Sequence, residues 1–173
     1  MRYPVSLIAV LVCLSLAIAG CGSSSSSSAG QAPAGSGGTT STTKFAKTKF
    51  VLHAGLAFGA FHRWIYKPAK AGTLTHPLQN PLTAGKAALA AAFVYHEVKL
   101  ALADAQADPT LSKLVAPVTA LQDKFHALAG SVKSGGVSSA DVSGLASTIS
   151  SIKDQAASAG QSITEQTPAT PSG

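Results

Sequence analysis

Residues 81–107 read PLTAGKAALAAAFVYHEVKLALADAQA, and this run decides the fold class. It is rich in Ala and Leu, the residues that lose least on entering a helix. Asn80-Pro81 stands before it as an N-cap followed by a proline at the first helical position. Asp108-Pro109 repeats the device where the next helix should begin. Within the run, Leu89, Phe93, His96 and Leu100 share one face, and Ala91, Val94, Tyr95, Val98 and Leu102 share another. A helix apolar on two sides is expected between two neighbours. Lys86, Glu97 and Asp104 form one polar seam between those faces, Lys99 and Gln106 the other.

Working outward, residues 109–132 carry Leu111, Leu114, Val118, Leu121, Phe125, Leu128 and Val132 at three- and four-residue spacing. Pro117 removes a backbone donor there and should kink the helix, since the stripe runs through it in register. Gly135-Gly136 reads as a turn. Ser138-Ser139-Ala140-Asp141 resembles a capping box with Asp in place of Glu. A seam of Val142, Leu145, Ile149, Ile152, Ala156 and Ala159 then predicts a helix over 139–159.

On the N-terminal side, the spacing predicts a helix over 44–66. Its centre, Phe50 to Phe61, is apolar except for His53, and an all-round apolar helix must be buried or lie in a membrane interface. Phe50, Ala54, Phe58, Phe61 and Ile65 share one face, while Gly55, Gly59, His62 and Tyr66 form a second ridge. Two glycines four residues apart would let another helix approach closely. Residues 67–79 contain Pro68, Gly72 and Pro77 and read as a loop, long enough to serve as a lid or contact surface. No strand pattern and no internal repeat is present. The expectation is therefore all-α: a small antiparallel four-helix bundle over 44–160, with helices at 44–66, 81–107, 109–132 and 139–159. Residues 161–173, with Pro168 and Pro171, read as a disordered tail.

Upstream of the helices the composition changes. Apart from Gln31, residues 22–43 are Ser, Gly, Ala, Pro and Thr with almost no large apolar side chain, so they read as a tether with a reach of roughly 25 Å. Before it, Arg2 is followed by an apolar run from Val5 to Ala19, of signal-peptide length and short for a membrane span. The run ends in Ile18-Ala19-Gly20-Cys21. These four positions resemble the lipobox of bacterial lipoproteins. The resemblance implies that residues 1–20 are a cleaved signal peptide, that Cys21 carries the lipid, and that 21–43 tether the domain outside the cytoplasmic membrane. Two or three acyl chains on one residue would hold it there. Of the two cysteines, Cys13 would leave with the leader and Cys21 would be lipidated, so no disulfide is expected.

Charge is uneven. After Cys21, seven basic residues precede the first acid, Glu97; from Glu97 on there are five lysines and seven acids. Lys44, Lys47 and Lys49, nearest the tether, suit anionic headgroups. An exported chain without an aromatic-basic reader motif is not expected to bind nucleic acid.

Catalytic signatures are missing. There is no Gly-x-Ser-x-Gly elbow, no P-loop lysine and no spare cysteine nucleophile, and Glu97, Asp104 and Asp108 read as a solvated stripe. Five histidines are the reactive inventory: His53, His62, His76, His96 and His126. None are spaced as metal ligands on one helix face, so a metal would need His53, His62 and His96 to converge through the fold. The expectation is a non-enzymatic binding or interaction module without cofactor, contacting an envelope partner through His62, Tyr66 and His76. The alternatives are a histidine-based metal- or haem-binding protein and a carrier of lipid or another apolar ligand.

Overall fold

The computed structural model describes residues 39–134 and 136–173. The leader, Cys21, the tether as far as residue 38, and Gly135 lie outside the described residues, as does the Lys44 side chain. Helix α1 spans Thr39–Phe61, so the helix begins five residues before the expected boundary of the tether. It runs on without a break through a π-helical turn, His62–Tyr66, into the single-turn α2, Lys67–Lys70. Helix α3 spans Pro81–Ala107, a 3₁₀ turn covers Pro109–Leu111, α4 spans Ser112–Ser134 and α5 Ser139–Ser158. Among the described residues there is no strand, and the fold is all-α.

The π turn explains why residues 67–70 are helical where a loop was expected. A proline cannot donate to the preceding turn, and its ring crowds the carbonyl four residues back. Widening the helix just before Pro68 relieves that crowding, and the Lys67 N–H reaches back five residues to the His62 carbonyl. The helix ends at Gly72, whose φ of 75° is open to glycine at little steric cost. Gly72 N–H donates to the Ala69 carbonyl and Thr73 N–H to the Pro68 carbonyl, a Schellman closure. Gly160, at φ 76°, ends α5 in the same way, with Gly160 and Gln161 N–H donating to Ala157 and Ala156.

The caps divide into three cases. Ser138 Oγ accepts from Asp141 N–H at 3.0 Å and donates to Asp141 Oδ2 at 2.6 Å, so the capping box forms with the shorter acid reaching the hydroxyl. Asp108 Oδ1 accepts from both Thr110 N–H and Thr110 Oγ1, each at 2.8 Å. Asn80 stands at the N-cap but its side chain makes no capping hydrogen bond.

Helix α3 packs against α1 on one side and α4 on the other; α4 packs against α5, and α5 against the π turn and α2. The helices meet at Phe50, Phe58, Val98, Leu121 and Ile152. Of the stripe predicted on α4, Leu111 to Leu128 are buried, and the helix is continuous through Pro117. On α3 the buried face is Ala87, Ala90, Ala91, Val94, Val98, Ala101 and Ala105. Small side chains let both neighbours come close. The expected second apolar face is covered only in part: Phe93 packs against the core, but Leu89 is 56% exposed and His96 is exposed as well.

Residues 161–173 are not a loose tail. They leave α5, bury Ile163 and Pro168, and lay Thr164 to Thr167 over α1. Gln166 N–H donates to the Gly55 carbonyl at 2.9 Å. A Cβ built on Gly55 would lie 2.5 Å from the Thr164 carbonyl oxygen, and one on Gly59 would collide with the Gln166 backbone. The glycine ridge thus does admit a close neighbour, but an extended strap rather than a helix. The strap ends near Phe93 of α3. Low apolar content misled the sequence reading: backbone contact with glycines needs no side-chain pattern.

Candidate functional site

The strap and the π turn together build the most chemically varied cleft. It is open, about 250 Å³, and lies between the end of α1, the π turn, α5 and the strap. Phe58, Phe61, Tyr66 and Ile149 supply apolar walls; His62, Lys153, Ser150 and Glu165 supply polar groups. The Phe61 ring meets Phe125 edge-on at 5.4 Å between centroids, which fixes the wall from behind. His62 stands edge-on to Tyr66 at 5.4 Å. Glu165 bridges the rim: its Oε1 accepts from Lys153 Nζ at 2.9 Å and its Oε2 lies 3.0 Å from His62 Nδ1. Burial alone would push the Glu165 carboxyl up, but the hydrogen bonds from Lys153 and His62, with their charges, outweigh it and hold the carboxyl below its ordinary range.

Of the expected contact residues, His62 and Tyr66 line this cleft, while His76 sits on the loop before α3, exposed and apart from it. That loop is no free lid. Leu74 is buried against the core, and its carbonyl faces the Val137 N–H at the α4–α5 connection. Two wider surface clefts along α4 and α5, about 390 and 560 Å³, contain neither histidine nor aromatic side chains.

The histidines do not converge. His53 turns to α3, its Nδ1 2.6 Å from Glu97 Oε2 and its Nε2 3.9 Å from Asp104 Oδ2. His62 faces the strap, His96 faces solvent, and His126 stacks obliquely on Tyr95 at 5.7 Å. Among the described residues no group of three or more His, Cys, Asp or Glu side chains is placed to hold a metal ion.

Of the acids expected as a solvated stripe, Glu97 and Asp108 are instead buried against α1 and Asp104 is partly buried. Asp108 is fully buried and Glu97 nearly so. Glu97 meets His53; Asp108 has Lys47 Nζ 3.9 Å from its free oxygen. Burial pushes the Asp104 carboxyl above its ordinary range, against the pull of His53 and Lys49. Lys47, expected at anionic headgroups, thus has one of this protein's own carboxylates beside it, while Lys49 is exposed. Sequence periodicity placed these acids on a seam but could not say which helix would cover it.

No protein-family model matches this chain, and no curated protein or solved structure matches it.

No described helix is long and apolar enough to cross a membrane. The arrangement can hold a small amphipathic molecule or side chain against the aromatic wall, with hydrogen-bonding partners at one rim. His62 Nδ1 is engaged by Glu165 rather than by Ser150, the hydroxyl in the cleft.

Proposed function

We propose that this chain is an extracytoplasmic lipoprotein, anchored through Cys21, whose helical domain is a non-enzymatic binding module. The observation that carries the anchored reading is the four-residue motif Ile18-Ala19-Gly20-Cys21 at the end of an apolar leader. The binding reading is supported by the cleft beside His62 and Tyr66, with its aromatic wall and polar rim. We read the helices as an antiparallel four-helix bundle, because the connections between α3, α4 and α5 are short and favour antiparallel neighbours.

Metabolic labelling with palmitate and intact-mass measurement test the anchor. The expected product starts at Cys21, carries fatty acyl chains and sediments with membranes; Cys21→Ala abolishes all three. An unmodified thiol with the leader still attached would defeat the reading. The cleft also favours a second reading, a carrier of a small apolar or amphipathic ligand. Mass spectrometry of molecules retained through gentle purification tests it, and loss of the retained molecule on Tyr66→Ala is expected.

A further inference from the structure

A different surface, at the end of the domain where α2 leads into α3, joins exposed leucines to unpaired cations. Leu78 is 95% exposed, Leu82 81% and Leu89 56%. Leu78 is not a floppy residue: it sits at the tip of a turn closed by Gln79 N–H to the His76 carbonyl and Asn80 N–H to the Pro77 carbonyl. Leu82 and Leu89 continue the stripe along α3, two helical turns apart, with Lys86 between them on the same side. Lys86 Nζ lies 5.8 Å from the centre of the Trp64 ring, and the Arg63 guanidinium lies 4.8 Å from it. Lys67 and Lys70 follow Arg63 through the π turn and α2, and all three are exposed. None of these four cations has a carboxylate partner among the described residues.

We propose that Leu78, Leu82 and Leu89, with Arg63, Lys67, Lys70 and Lys86, dock the domain on an anionic lipid surface. Apolar side chains projecting from a turn and a helix, rather than lining a groove, suit a deformable partner more than a rigid one. At a bilayer surface the leucines enter the boundary between headgroups and acyl chains, and the long cationic side chains keep their heads at the phosphates. Each lysine near such a surface favours binding by about fivefold. Trp64, partly buried against the core, lies beneath Arg63 and Lys86 and is placed to sense what covers them. This basic surface differs from the one expected at Lys44, Lys47 and Lys49, where Lys47 lies 3.9 Å from Asp108. The proposal builds on the anchored reading, which brings the domain within reach of lipid.

Trp64 is the single tryptophan, so its emission reports this surface alone. The full lipidated chain is reconstituted in vesicles of phosphatidylcholine with one-third phosphatidylglycerol, both with brominated acyl chains. The expected result is strong Trp64 quenching, much weaker in purely zwitterionic vesicles and reversed by high salt. Lys67→Glu with Lys70→Glu should lower the docked-to-undocked ratio by more than about twentyfold, and Leu78→Ser with Leu82→Ser by at least about tenfold. These side chains are exposed, and unchanged circular dichroism of the variants confirms that they fold. Quenching that is absent, equal in both vesicle types or indifferent to the leucines overturns the proposal. So does self-association through the same leucines without quenching, which would assign the patch to a second copy. If Cys21 proves unmodified, the anchored reading fails by itself; the same vesicles added to the unlipidated chain still report on the patch through Trp64.

Discussion

Two glycines carry opposite lessons from a third. Gly55 and Gly59 lie where a methyl group would meet the strap's backbone, which has no flexible end to move aside. Gly144, on the exposed side of α5, has nothing within 4 Å of an added Cβ. Gly59→Ala is therefore expected to destabilise the fold by about 1–3 kcal/mol through overpacking. Gly144→Ala should stabilise it by about 0.5–1 kcal/mol, because alanine loses less freedom in a helix. Urea unfolding of the two variants checks both signs. The spacing of Gly55 and Gly59 was visible in the sequence as a close-approach ridge. What approached was not visible, because backbone packing on glycine leaves no periodic mark in the segment that does it.

At the scale of elements, the beginnings of α3 and α5 were legible, yet three similar cap sequences do different work. Ser138 makes its capping bond at the surface, so Ser138→Ala should cost about 1 kcal/mol. Asp108 accepts two bonds while fully buried; Asp108→Ala leaves the Thr110 donors unmatched and should cost about 2 kcal/mol. Asn80 makes no side-chain capping bond, and Asn80→Ala should change stability by less than about 0.5 kcal/mol. Thermal unfolding of the three variants gives the order, and a large effect at Asn80 would contradict it. Pro68 shows the complementary limit. Read alone it marks a loop, but a π turn one step earlier absorbs its demands and the helix continues to Lys70. That same widened turn carries His62 and Tyr66 to the cleft.

At the scale of the whole molecule, the strap links the far end of the chain to the candidate site. Glu165 is held by Lys153 of α5 and His62 of the π turn, and its folded-state pKa lies below its ordinary value of 4.5. A carboxyl whose pKa is lowered on folding binds fewer protons in the native state. Its contribution to stability is present above pH 4.5 and is lost as pH falls through the lowered value. The stability difference between the wild type and Glu165→Gln should accordingly be full near neutral pH and vanish in strong acid. Amide exchange at Gln166, whose N–H donates to Gly55, follows the strap directly and should speed up in the variant. A pH-independent difference would show that Glu165 holds the strap by packing alone.

The amino-acid sequence by itself determined that this domain is helical, roughly where each helix lies, and which stripes of α1, α4 and α5 face inward. Those are consequences of local propensity and of a 3.6-residue period, and both are written in neighbouring residues. The anchor proposed at Cys21 rests on the sequence alone, on Ile18-Ala19-Gly20-Cys21 after an apolar run. Only the tertiary structure decided which face of α3 is covered, and so that Glu97 and Asp108 are buried while Leu89 and His96 are not. It likewise decided that Thr164 to Thr167 lie on α1 and that Glu165 completes the cleft. Pairing between distant segments depends on which surfaces meet, and no single segment's periodicity contains that information.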